Sequence, residues 1–214
     1  MKPPQDPELD QTLEEVWELP QEDDLEGLQL EEIDLTNDDL HGVSLRSCVM
    51  HKCVLSGCNL RRAVFTDVIL DHCDLSGADL EEASLQRVRL ENCRLTGARI
   101  ARATLRSVRL ASCQADYADI VSARLDRCAF EDTQLREATL EDTQLRDVAL
   151  RDCDLTRMLV RRTPLGGLDL RSCNVSALAA DVPNLRGAIV TREQAIALSA
   201  LLGLDIRSSG RVMG

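Results

Sequence analysis

The side chains with chemical potential in this 214-residue chain are nine cysteines, three histidines and a dense set of carboxylates. The cysteines stand at 48, 53, 58, 73, 93, 113, 128, 153 and 173, separated by multiples of five, with no C-x-x-C pair among them. A thiolate metal site needs ligands that converge, and a redox pair needs two close sulfurs. This spacing offers neither, so each cysteine is expected to serve as a small apolar filler. His41, His51 and His72 have no Ser or Cys nucleophile placed beside them, and no Gly-rich phosphate loop or paired-carboxylate pocket is evident. No catalytic residue, resident metal or cofactor is therefore expected, and the chain is not expected to be an enzyme.

The cysteine spacing belongs to a wider pattern. From Leu25 to Val190 every fifth residue is Leu, Ile, Val, Met, Phe or Ala, and every cysteine lies two residues before such a position. An α-helix turns about 100° per residue, so successive fifth residues scatter around its axis. In a flat strand an odd period sends them to opposite faces. The period is satisfied by a chain that turns a corner once per five residues, with the fifth residue and the one two before it both pointing inward.

A second period gives the number of sides. Cys53, Cys73, Cys93, Cys113, Cys153 and Cys173 align at twenty residues with Thr133 interrupting, as do Ala78, Ala98, Ala118 and Ala138. Four pentapeptides thus make one coil, and coils stack into a solenoid. In this register His51 and His72 fall on adjacent coils, at outward positions.

The units AVFTD, ADLEE, ASLQR, ARIAR, ATLRS and ARLDR resemble the pentapeptide-repeat motif A-(D/N)-L-x-x over roughly Leu25 to Val190. The resemblance implies an all-β fold: a right-handed quadrilateral parallel β-helix of about eight coils. The segment NLRGAIVTREQAIALSALLGLDI is similar to the C-terminal ends of the family's MfpA/Qnr-type, fluoroquinolone-resistance branch. That likeness implies a homodimer joined end to end through the C-terminal helix.

Three regions are expected: an acidic tail or cap over residues 1–20, the solenoid over 21–190, and a capping or dimerisation helix and tail over 191–214. Residues 1–40 hold 15 acids and one Lys, whereas the remainder carries a net charge of +2. Leu13, Val16 and Trp17 could form one short amphipathic turn, and Asp23 and Asp38 occupy positions meant for small inward residues, so the first coil is expected to be irregular. No apolar run resembles a signal peptide or membrane span. The many unpaired thiols suggest a reducing cytoplasm. Thr191 to Gln194 fits a capping box opening a helix that Gly203 ends. Its face of Ala195, Leu198, Leu201 and Leu202 is the candidate dimer interface.

The branch resemblance implies binding to a type II DNA topoisomerase (gyrase or topoisomerase IV) by a rod that mimics DNA and protects the enzyme from poisons. It implies no direct contact with nucleic acid or membrane. The candidate partner-binding acids are Asp71, Asp74, Asp79, Glu81 and Glu82 on one coil and Glu131, Asp132, Glu137, Glu141, Asp142 and Asp147 further along. Pairs such as Arg61-Arg62, Glu81-Glu82 and Arg102 on neighbouring coils equally suit cross-strand ion pairing. The alternative function is a solenoid scaffold for another protein partner.

Overall fold

The computed structural model describes residues 2–9, 12–20 and 23–204. The expected first residues of the solenoid at 21–22 and the tail at 205–214 lie outside these. Among the described residues the chain winds as a parallel-stranded, four-sided β-solenoid of about eight coils, closed at its C-terminal end by one short helix.

The twenty-residue period sets the pairing register. Strands Val64–Asp71, Ser84–Glu91 and Thr104–Ala111 lie side by side, with Phe65 opposite Leu85 and Leu85 opposite Leu105. From Asp24 to Arg151 two sides of each coil form these ladders. The other two begin as single bridges, such as Asp74 to Arg94 and Asp79 to Arg99, and the fourth side becomes a true strand from Asp119 onward. At the corners the chain takes up left-handed backbone. Gly57, Gly77 and Gly97 hold one corner at φ 68°, 66° and 69°, and Tyr117, Glu137 and Arg157 continue it at 60°, 55° and 58°. A non-glycine residue at such an angle costs roughly 1–2 kcal/mol. The corner amide recovers part of that cost by bonding to the next coil: Gly77 N–H donates to Thr96 O at 2.9 Å and Arg62 N–H to Glu81 O at 2.9 Å.

Inside, the fifth residues and their partners two places earlier form one continuous apolar core from Leu25 to Leu178. One internal gap, a void of about 30 Å³ lined by leucines, Phe65 and Phe130 among others, is too small for a ligand. All nine cysteines are buried and unbridged. They do more than fill space. The Cys73 thiol donates to Met50 O at 3.4 Å, Cys93 to Leu70 O at 3.4 Å and Cys153 to Phe130 O at 3.3 Å, each to a carbonyl 23 residues earlier. Thr143 makes the same bond through its hydroxyl, to Ile120 O at 3.1 Å. Thr133, which interrupts the cysteine column, donates instead to Glu131 O two residues earlier, at 3.0 Å.

Two expectations at the N-terminal end are corrected. The first coil pairs in register, Asp24–Glu26 with Ser44–Arg46 and Leu28–Glu31 with Val49–His51; its irregularity is limited to the solvent-facing Asp23 and Asp38. Residues around Val16 form an extended strand, Glu14–Val16, rather than a helical turn. It pairs with Leu28–Glu31 and covers the open edge of that side. An exposed sheet edge favours strand addition, and the nearest chain supplies it.

At the other end Thr191 and Gln194 form the capping box: Thr191 N–H donates to Gln194 Oε1 at 2.8 Å, and Gln194 N–H to Thr191 Oγ1 at 3.2 Å. The α-helix runs Arg192–Leu198, continues as a 3₁₀ turn Ser199–Leu202 and stops at Gly203 with φ 69°. The Gln194 amide also donates to Leu170 O and Cys173 O, both at 2.8 Å, so one side chain caps the helix and ties it to the last regular coil.

Leu70→Ala, at a fully buried ladder position, is expected to lower unfolding free energy by about 2–5 kcal/mol in urea titration. The thiols set an alkaline limit. Burial pushes Cys58 up to about 11 and Cys128 up to about 12 from an ordinary value of 9.0. The unfolded chain then binds fewer protons than the native one between those values. The contribution of these thiols to stability is intact below pH 9.0 and declines as pH rises toward the folded values. The expected result is a melting temperature that falls from that point upward and falls less when Cys58 and Cys128 are replaced by Ala.

Candidate partner-binding surface

The outer surface is built by the outward residues of each pentapeptide. Because coils stack in register, an acid at one position meets whatever lies twenty residues away. The predicted acids are therefore largely engaged. Glu82 accepts from Arg62 Nε at 2.8 Å and from Arg102 Nε at 3.2 Å. Glu81, only 5% exposed, is clamped by Arg61 and Arg102, with Arg99 at 3.9 Å. Asp79 accepts from Glu81 N–H at 3.0 Å and lies 3.3 Å from Arg99 Nη1. Asp74 accepts from the Ser76 amide at 2.9 Å, with Arg94 at 4.0 Å. Asp71 is held by His51, His72 and Asn92.

The second group repeats the pattern. Glu131 lies between Arg109 at 2.5 Å and Arg151 at 3.0 Å. Glu137 pairs with Arg157 at 3.1 Å, and Arg162 holds Asp142 through two 2.7 Å bonds while reaching Glu141 as well. Arg162 lowers the Asp142 carboxyl below its ordinary range, through its hydrogen bond first and its charge second. Asp132 is exposed and, among the described residues, accepts from Ser112 Oγ at 3.0 Å and makes no ion pair. Asp147 lines a groove beside Lys2 and Pro3. Most of these eleven acids are thus matched by a cation on a neighbouring coil, in ladders of alternating charge; Asp132 makes no such pair among the described residues.

Several carboxylates without an ion pair to any described residue cluster at the N-terminal end, while others, such as Asp132 and Asp154, stand singly along the flanks. Glu14, Glu15, Glu18, Asp23, Asp24 and Asp38 make no ion pair with any described residue and face solvent. Glu18, Asp23 and Asp38, with Glu32, Asp34 and Asp39, ring a hollow of about 730 Å³ beside Trp17, whose side chain is 76% exposed. The sequence signal for this site was the excess of acids in residues 1–40.

Residues 2–9 lie along the solenoid wall. Glu8 N–H donates to Asp67 Oδ1 at 2.8 Å, and Arg127 reaches Gln5 Oε1 at 3.4 Å, three coils further along. Pro4 and Pro7, three residues apart, face the wall, the spacing of an extended polyproline turn. Around this strap the outward residues Ser47, Asp67, Ser107, Ala129 and Ala149 are buried. Burial opposes the Asp67 charge, but bonds from Arg87 at 2.6 and 2.5 Å and from Glu8 N–H outweigh it, and its carboxyl lies below the usual range. No sequence period announced this contact.

The candidate dimer residues lie at the C-terminal end. Ala195 and Leu202 are exposed and Leu198 and Leu201 half-buried. They line an apolar hollow of about 520 Å³ with Val182, Leu185 and Val190, and Ile196 adds a side chain 50% exposed nearby. The helix covers part of the terminal coil and leaves this face open.

A four-sided solenoid with a filled lumen, an acidic end and an apolar end is a protein whose contacts are made on its outer surface. Residues 43–120 and 63–140 match the family described as Pentapeptide repeat region, so this stretch of the chain is a pentapeptide-repeat region. Among solved structures it is similar to QnrB1, a plasmid-mediated fluoroquinolone resistance protein, at 20% identity and a TM-score of 0.50 over 92% of this chain and 99% of that one. It is also similar to HetL, a pentapeptide-repeat protein involved in heterocyst differentiation regulation in the cyanobacterium Nostoc, at 23% identity and a TM-score of 0.36 over 78% and 84% of the two chains. No functionally curated protein matches the sequence at a significant level.

The ladder geometry separates structural acids from free ones. Glu81→Ala, which leaves the surrounding arginines without their buried acceptor, is expected to cost about 1–3 kcal/mol in urea denaturation. Asp132→Ala at an exposed position should stay within about 0.5 kcal/mol of the parent.

Proposed function

We propose that this chain is a non-enzymatic binding rod whose partner is a type II DNA topoisomerase, gyrase or topoisomerase IV, which it protects in the cytoplasm from topoisomerase poisons. One observation carries the reading: the solenoid presents six carboxylates without ion-pair partners among the described residues, Glu14, Glu15, Glu18, Asp23, Asp24 and Asp38, clustered at its N-terminal end. Such a cluster complements the basic surface with which an enzyme handles DNA. The likeness of fold to QnrB1 agrees with this reading.

The contact surface is placed at Glu14, Glu15, Glu18, Asp23, Asp24 and Asp38 rather than on the flanks, where arginines neutralise the acids and depart from a duplex-like charge. The apolar face of Ala195, Leu198, Leu201 and Leu202 joins two chains end to end. The rod is thereby doubled in length with an acidic tip at each extremity. The paired flanks also favour a second reading, a scaffold for a different protein partner, for which charge balance along the rod is no disadvantage.

A gyrase supercoiling assay with and without a fluoroquinolone tests the proposal. Added protein is expected to alter supercoiling or restore it in the presence of drug, and the Glu14→Lys, Glu15→Lys, Asp24→Lys variant is expected to lose that effect. Leu202→Glu should convert a dimer to a monomer in analytical ultracentrifugation. No effect on supercoiling or on drug inhibition by the folded parent would remove the topoisomerase reading and leave the scaffold.

A further inference from the structure

Two adjacent coils bring together three side chains that the proposed contact surface does not use. His51 and Asp71 are opposite each other in the ladder between Val49–His51 and Val64–Asp71. His72 follows at a corner with φ 55°, which turns its ring toward the same carboxylate. His51 Nδ1 lies 3.0 Å from Asp71 Oδ2 and His72 Nδ1 lies 2.8 Å from Asp71 Oδ1. The two rings meet edge to face, their centroids 5.8 Å apart. One ligating atom from each residue falls within 4.8 Å of the others. His51 and Asp71 are half-buried and His72 is exposed, so the cluster is open to solvent on one side.

We propose that His51, Asp71 and His72 form a binding site for a divalent transition metal of the zinc class. Two imidazole nitrogens and one carboxylate oxygen are the donor set that such a borderline cation prefers, and the solvent side leaves a fourth position for water. Magnesium and calcium require more oxygen donors than this trio offers. The cation replaces the His–Asp hydrogen bonds: a neutral imidazole that binds through Nδ1 carries its proton on Nε2 with no net release, and a doubly protonated ring gives one proton to solvent.

The fold supports the ligands independently of any metal. The ladder fixes His51 against Asp71, and the corner fixes His72. Asn92 on the following coil donates to Asp71 Oδ1 at 3.2 Å and orients the carboxylate, the role an outer partner plays at a metal centre. The better zinc ligands in the chain, the nine thiols, are all buried in the lumen and do not compete in the folded state. A metal held by residues 51, 71 and 72 would link two coils that otherwise meet only through backbone bonds, core packing and weak surface pairs.

Titration of zinc into the full-length protein without an affinity tag, followed by calorimetry, tests the site. One saturable zinc per chain is expected, with a higher melting temperature when zinc is present, and magnesium should give no saturable signal. His51→Asn and His72→Asn should each weaken binding sharply, Asn92→Ala by about tenfold, and His41→Asn should leave it unchanged. Asparagine tolerates the left-handed backbone at 72, so the His72 variant remains folded and decisive even if the His51 variant is unstable. Absence of saturable zinc binding, or binding that survives His72→Asn or depends on His41, would overturn the proposal.

Discussion

The in-register hydrogen bond between coils is the constraint on which the rest of the molecule depends. Each coil offers its neighbour a set of amides and carbonyls twenty residues out of step, and the ladder closes only if no residue is gained or lost. Leu85 must lie over Phe65 and under Leu105. That requirement keeps the lumen narrow and fills it with aliphatic side chains. It also holds two dozen non-glycine residues in left-handed backbone, because their amides bond to the coil above. The strain is local and recurs at corner after corner, and the inter-coil bonds that balance it recur with the same period.

The same register governs the surface. Stacking like positions on a short spacing would place like charges in columns, which is unfavourable. The chain alternates sign instead, as in Arg62, Glu82 and Arg102 or Arg106, Asp126 and Arg146. Individual surface pairs contribute little, but a column in which each acid meets two arginines removes the repulsion that stacking would otherwise create. The consequence for function is directional. Flanks whose charges are largely satisfied internally are poor at attracting a charged partner, and the ends of the rod are better placed to do so. Acids without arginine partners at one end and apolar residues without cover at the other give the two ends different chemistry.

The N-terminal segment shows how a solenoid wall can be covered without a cleft. Outward residues of the repeat are expected to be wet, yet Ser107 and Ala129 are buried beside a strap of only a few residues. Small side chains along the wall create the shallow seat, and prolines at a three-residue spacing present a stiff edge that fits it. The strap is held by its backbone at Glu8, which donates to Asp67 and accepts from Ser47, and by Gln5, which accepts from Arg127.

Sequence alone determined the solenoid, because a strict five-residue period within a twenty-residue one has a single economical geometry. It placed each cysteine inside and marked the capping box from Thr191 to Gln194, since both depend on residue type and local spacing. It also placed His51 near His72. The fate of Glu81 or Glu131 was decided in the tertiary structure. Whether a carboxylate is free or clamped depends on the rotamers of arginines on two neighbouring coils, and residue spacing supplies proximity without direction. The strap of residues 2–9 and the strand Glu14–Val16 were likewise invisible, because neither follows the repeat. Their positions are set by which edge and which wall the folded solenoid leaves open, and that surface exists only once the coils have stacked.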